Sequence, residues 1–162
     1  MGTPVVVIVL HALGALIVLT LGPIQMFRRH RDRAHRWLGR TWAIAMVLTC
    51  VSSFFIHPQG LSWLHALAVW TLFSITMGVI NIRRGSVATH RVWMIGSYLG
   101  TCIAFVFAIL SPGRLIPHLL RSDPVLTLVF FAGVVALAAA WAGMVVRVRG
   151  TRRDARRPLA VE

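Results

Sequence analysis

Four of the seven histidines in this 162-residue chain fall into two matched pairs. Leu10-His11-Ala12-Leu13 is repeated as Leu64-His65-Ala66-Leu67, and each copy is followed about 25 residues later by a His-Arg step, first His35-Arg36 and then His90-Arg91. The copies are offset by 54 residues at the first histidine and by 55 at the second. All four lie inside, or at the ends of, long apolar runs. An imidazole in hydrocarbon is costly and is retained for a purpose. Facing pairs of imidazoles are the donor set that holds a metal ion or grips a haem iron from both faces. Two copies of one helical hairpin, each giving an outer and an inner imidazole, account for the pattern.

A b-type haem needs axial imidazoles from different helices, with the ring slotted between them. The pattern predicts up to two haem b groups, with His11 and His65 as iron ligands near one membrane face and His35 and His90 near the other. Small residues would admit the ring edge: Gly14 one turn from His11, Gly39 one turn from His35, and Ala68 at the same spacing from His65. Gly96 and Gly100 form a Gly-x-x-x-Gly pattern that permits close helix approach. Arg36 and Arg91, with Arg40, are placed to pair with haem propionates through their guanidinium forks. A quinol, a small reductant or a redox protein would be the partner. No catalytic residue stands out. The same residues admit plainer readings. They could be polar packing and lipid contacts in a non-enzymatic membrane subunit or assembly factor, or they could bind a metal ion without haem. His57 and His118 read as interfacial residues or accessory outer ligands, and His30 sits in a basic loop.

The elements that must position these histidines are membrane helices. Hydrophobic residues make up 57% of the chain and the mean hydropathy is +0.77, far above the soluble norm. Five stretches, roughly 4–27, 37–57, 62–82, 92–112 and 124–146, have the ~20 residues that cross a ~30 Å hydrocarbon core. Residues 1–147 then form one integral membrane domain, and 148–162 a basic cytoplasmic tail. The net charge of +13 is not a nucleic-acid signal here, because the arginines flank alternate spans. Arg28, Arg29, Arg31, Arg33, Arg36, Arg40, Arg83, Arg84 and Arg91, and then six from Arg147 to Arg157, fall on one side. Only Arg114 and Arg121 fall on the other. By the positive-inside rule the N-terminus is outside and the C-terminus cytoplasmic. The basic loops are suited to anionic lipid headgroups. The first span lacks the basic start and small-residue cleavage site of a signal peptide. Cys50 and Cys102, each mid-span, read as small core residues rather than a disulfide.

The expected fold is therefore all-α, with five transmembrane helices. Short connections make the first four an up-down-up-down bundle of two tandem hairpins, and the fifth helix packs outside. Helices one and three share one diagonal of such a bundle, and helices two and four the other, so each histidine pair joins diagonal helices at one face. The segment from Arg114 to Asp123 reads as a short interfacial helix. All four acidic residues, Asp32, Asp123, Asp154 and Glu162, lie outside the spans, which disfavours a proton-coupled transporter. Phosphate loops, nucleophile elbows and zinc-protease motifs are missing.

Several segments, in order, carry a family resemblance. They are Pro23-Ile24-Gln25, His35-Arg36-Trp37-Leu38-Gly39, Ser52-Ser53-Phe54-Phe55-Ile56, Leu64-His65-Ala66-Leu67, Arg83-Arg84-Gly85 with His90-Arg91 and Met94, and Leu110-Ser111-Pro112-Gly113-Arg114-Leu115. Over about residues 8–118 the chain resembles the bacterial membrane-protein family called domain of unknown function 2306. That resemblance implies an inner-membrane protein and supplies no activity. The plan of diagonal histidines is also similar to transmembrane di-haem cytochromes b of the ascorbate-reducible type. This second likeness is architectural and rests on four residues. The substrate site of those cytochromes has no counterpart here, so donor and acceptor stay open.

Overall fold

The computed structural model describes residues 4–28, 31–56, 60, 62–110 and 115–154, with backbone alone for 115–116 and 148–154. The described residues form six helices and no strand: α1 Val5–Phe27, α2 Arg33–Ser53, α3 Trp63–Arg83, α4 Val87–Leu110, α5 Leu115–Ser122 and α6 Pro124–Asp154. The short α5 falls where the sequence suggested an interfacial helix. His30, His57, Arg29 and the end of the basic tail, 155–162, lie outside the described residues.

Four boundaries differ from expectation. Helix α2 ends at Ser53 rather than near 57 and α4 starts at Val87 rather than near 92; the other two differ for identifiable physical reasons. Helix α2 starts at Arg33 rather than near residue 37, because Asp32 caps it: the carboxylate accepts the His35 N–H at 3.0 Å and also binds Arg28 at 2.7 Å. Helix α6 continues to Asp154 instead of ending near 146, since arginine is a good helix former and the next proline is Pro158. The start of α6 is set by Pro124 in the first turn and by Asp123, which accepts the Leu126 N–H at 3.0 Å. Between α3 and α4 the chain reverses through Gly85 at φ +81°, a left-handed conformation that glycine adopts freely.

Helices α1, α3 and α4 and the stretch Pro124–Arg147 are long and apolar enough to cross a membrane. Helix α2 has the length but falls short on hydropathy, because Arg36 and Arg40 occupy its first two turns. The surface has the polarity of a lipid-facing protein. Leu10, Ile44, Val69, Val92, Ile103, Leu128 and Leu137 are all exposed. The hydroxyls of Thr49, Thr71, Ser74, Ser97 and Thr101 are buried in the seams. Each of these donates to the carbonyl four residues earlier in its own helix, so small polar residues line the interfaces without an unpaired group.

The most extensive helix contacts are between α1 and α2 and between α3 and α4. Helix α1 lies antiparallel to α2, and α3 antiparallel to α4. The pairs α2–α3 and α1–α4 close a ring, and α6 packs on the outside of α1 and α2. At the centre Val18, Leu21, Leu38 and Met46 are wholly enclosed. Met46 reaches across the diagonal, where its sulfur accepts from Thr101 Oγ1 at 3.2 Å.

Candidate functional site

At one end of the ring His11 projects from α1 onto α2. Its Nδ1 is 3.0 Å from the Thr49 carbonyl and 3.1 Å from Ser52 Oγ. A carbonyl oxygen only accepts, so Nδ1 carries the proton and the Nε2 lone pair is left available. This approach depends on Gly14, one turn further along α1. A methyl group there would lie 2.5 Å from Thr49 Oγ1 and 3.3 Å from the Ala45 carbonyl oxygen. His65 begins α3 at the same end and is buried. Its Nδ1 accepts the Ser62 N–H at 2.9 Å, the return half of a capping box with an imidazole in place of the usual carboxylate. The neutral ring then carries its proton on Nε2, which is buried and unpaired. Phe54 of α2 packs beside this ring, centroid to centroid 5.8 Å.

At the other end the roles repeat with the hairpins exchanged. His90 of α4 donates from Nδ1 to the Gly78 carbonyl of α3 at 2.8 Å, again leaving Nε2 free. Gly78 makes this approach possible, because the Met94 methyl occupies the place a side chain would take. His35 starts α2 at the same end as His90, and its Nδ1 is buried and unpaired. Each end therefore combines one imidazole oriented by a backbone carbonyl with one that has an unpaired buried ring nitrogen. Carbonyl-oriented imidazoles are the arrangement that metal-ligating histidines adopt, because the second hydrogen bond fixes tautomer and ring direction.

Between the two ends the interior is filled. Pro23 has no N–H to offer Leu19, and the Leu19 carbonyl instead accepts from Tyr98 Oη of α4 at 3.4 Å. The Tyr98 ring lies against Gly22, where a side chain would collide with it. The neighbouring Val18 carbonyl accepts from Trp42 Nε1 of α2 at 3.1 Å. The proline thus loosens α1 at a point where two other helices satisfy its carbonyls. Tyr98, the chain's single tyrosine, and Trp42 were missed in the sequence. A proline deep in an apolar helix was the signal that carbonyls there need donors.

The glycines expected to admit a ring edge do other work. Gly14 admits Thr49, and Gly39 admits Gln25, whose Nε2 would stand 3.0 Å from an added methyl. Gly96 meets nothing within 4 Å, and Gly100 makes only ordinary contacts with Leu67 and Thr71, so the Gly-x-x-x-Gly pattern does not draw helices together. Ala68 is buried beside His65 as expected. Arg36, Arg40 and Arg91 are exposed at the bundle surface, and Arg40 lies over Trp37 with its guanidinium 5.9 Å from the ring centroid. His118 is exposed on α5. Cys50 is buried in α2, and Cys102 is half-buried in α4.

An all-helical chain with an apolar exterior, hydroxyl-lined seams and four helices able to span a bilayer is a multi-pass membrane protein. It belongs to the family described as "Predicted membrane protein (DUF2306)", whose model matches residues 8–146. The match runs beyond residue 118 to take in most of α6. No curated protein and no solved structure matches the chain.

Proposed function

We propose that this is a five-span bacterial inner-membrane protein, N-terminus outside and C-terminus cytoplasmic, that carries electrons through histidine-ligated haem b. In this reading α2 is the remaining span, its arginines reaching the cytoplasmic headgroups, and α1–α4 run up-down-up-down with α6 outside. What supports the reading is that each end of the bundle holds one carbonyl-oriented imidazole and one imidazole with a buried, unpaired nitrogen. The donor set favours haem over a bare ion. Among the described residues no three of His, Cys, Asp or Glu come together to hold a metal ion. A haem iron needs only two protein ligands, because the macrocycle supplies the other four.

Haem held there would supply one-electron chemistry at each face. Thr49 and Gly78 aim His11 and His90 through their carbonyls. His65 is set differently. To ligate through Nε2 it must carry its proton on Nδ1, and so give up the Ser62 N–H. His35 has no such bond to break, so the inner pair binds the more tightly. Arg31 beside His35 adds positive charge for a propionate.

Visible spectroscopy of protein purified after haem-supplemented expression tests this. The expected result is a reducible b-type spectrum and release of up to two haems per chain. Replacing His35 or His90 should remove the tighter fraction and spare the weaker, and replacing His11 or His65 the reverse. Protein that stays colourless overturns the electron-carrier reading and leaves a non-enzymatic membrane subunit. Reporter fusions near residues 86 and 154 should report cytoplasm, and fusions near Gly60 should report the outside.

A further inference from the structure

The inner end contains more unpaired polar atoms than the haem reading uses. Among the described residues four buried side-chain nitrogen or oxygen atoms lack a hydrogen bond: Gln25 Oε1, Arg28 Nε, His35 Nδ1 and His65 Nε2. The first three belong to one network. Gln25 Nε2 donates to the His35 carbonyl at 2.9 Å, the His35 N–H donates to Asp32 Oδ1 at 3.0 Å, and Arg28 binds Asp32 Oδ2 at 2.7 Å. The side chains are thus fixed around the α1–α2 turn, each with one polar atom unused. A buried polar atom left unpaired is costly to a fold, so Gln25 Oε1 and Arg28 Nε, which the haem reading leaves unused, point to an occupant that completes them.

The unused atoms define its chemistry. Asp32 already neutralises Arg28, and both carboxylate oxygens are engaged, so a bare anion gains little. Gln25 Oε1 is an acceptor and would repel an oxyanion. A hydroxyl fits: its oxygen accepts from Arg28 Nε–H while its proton goes to Gln25 Oε1. The apolar rim fits an aromatic headgroup with a lipid-soluble tail, since Met26 and Phe27 are exposed beside Gln25, Phe27 to 82%. We propose that Gln25 and Arg28, beside His35, form a binding site for a quinol headgroup at the cytoplasmic end of the bundle. The proposal rests on the electron-carrier reading for the choice of a redox-active hydroxyl compound. The site prefers quinol to quinone, because a quinone carbonyl accepts from Arg28 but has no proton for Gln25.

The test uses the full-length protein in nanodiscs of zwitterionic lipid, titrated with a short-chain quinol and with the matching quinone. A photoreactive quinone is mapped by mass spectrometry, and haem is assayed in the same sample. Quinol should bind about 3- to 10-fold more tightly than quinone, the value of one hydrogen bond, and the label should fall within residues 22–39. Gln25→Met should remove that preference while the thermal midpoint stays close to wild type. Should that variant fail to fold, the wild-type label position decides. Quinol binding elsewhere, equal affinity for the two forms, or displacement of the probe by stoichiometric phosphatidylglycerol overturns the proposal. Haem present without quinol binding refutes this site and leaves the electron-carrier reading standing. Quinol binding in haem-free protein does the opposite.

Discussion

Gly14→Ala adds a single methyl group and should uncouple His11 from α2. The new Cβ would lie 2.5 Å from Thr49 Oγ1 and 3.3 Å from the Ala45 carbonyl oxygen. Thr49 cannot turn away freely, since its hydroxyl is held by the Ala45 carbonyl at 2.8 Å, and the carbonyl itself is backbone. The helices must therefore separate by several tenths of an ångström. Overpacking of this kind costs about 1–3 kcal/mol. The His11–Thr49 contact, one turn away, lengthens with it. The assay is a double-mutant cycle by reversible unfolding in mixed detergent micelles, with Gly14→Ala, Thr49→Ala and the pair. Thr49→Ala removes the atom 2.5 Å away, so the double variant should recover at least about 1 kcal/mol relative to additivity, a coupling typical of residues in contact. If Gly14→Ala is neutral, or if Thr49→Ala does not rescue it, the packing account of Gly14 is wrong. The glycine would then be free to serve as a slot for a ring.

Nitrogen NMR of ring-labelled, haem-free protein at neutral pH should find His11 and His90 protonated on Nδ1 and His65 on Nε2, following their backbone partners; the opposite assignment at His11 or His90 removes the ligand orientation argued above. Tyr98→Phe should cost about 0.5–1 kcal/mol in the same unfolding assay, because one long hydrogen bond to Leu19 is lost. Tyr98→Ala should cost about 3–5 kcal/mol, because the ring packed on Gly22 goes as well. For Asp32, burial pushes the carboxyl up, but the His35 N–H and Arg28 pull it down further, so it is held below the ordinary carboxylate value. A depressed folded-state value means that its stabilisation is complete above about pH 4 and is lost as pH falls through the folded value. Asp32→Asn should therefore melt lower than wild type at pH 6, by an amount worth about 0.5–1 kcal/mol, and the gap should narrow as pH falls through the folded value; a gap that does not narrow on acidification contradicts the ion-pair assignment.

The helices were legible because apolar runs, proline and glycine punctuate the chain clearly. The ends of α1 and the short α5 stand where composition puts them, whereas α2 stops at Ser53, ahead of the His57-Pro58-Gln59-Gly60 stop. The start of α2 was harder to place, because its arginines look like a loop in any hydropathy average. In the structure Asp32 caps that turn and the arginines extend outward at the surface. The recurrence of histidines located both ends of the bundle but not their hydrogen bonds. Tautomers depend on which backbone atom sits opposite, and that is a property of packing at the level of tenths of an ångström. Gln25 and Arg28 were passed over for the same reason, since neither is unusual until its neighbours are known.

The two oriented histidines share a cause that also explains the glycines. His11 reaches the Thr49 carbonyl because Gly14, three residues on, lets α2 close on α1. His90 reaches the Gly78 carbonyl because the same glycine takes the methyl of Met94, four residues beyond His90, and lets α4 close on α3. Each hairpin thus builds its imidazole from a glycine and a histidine one turn apart across the seam, although in the first hairpin both lie on one helix and in the second they lie on facing helices. The repeat is therefore conserved in function of the seam and not in residue position, which is why the matched spacing of histidines is visible in the sequence and the matching role of Gly14 and Gly78 is not. Gly78→Ala should disturb His90 less than Gly14→Ala disturbs His11, because the atom in its way is the end of the flexible Met94 side chain, which can swing aside.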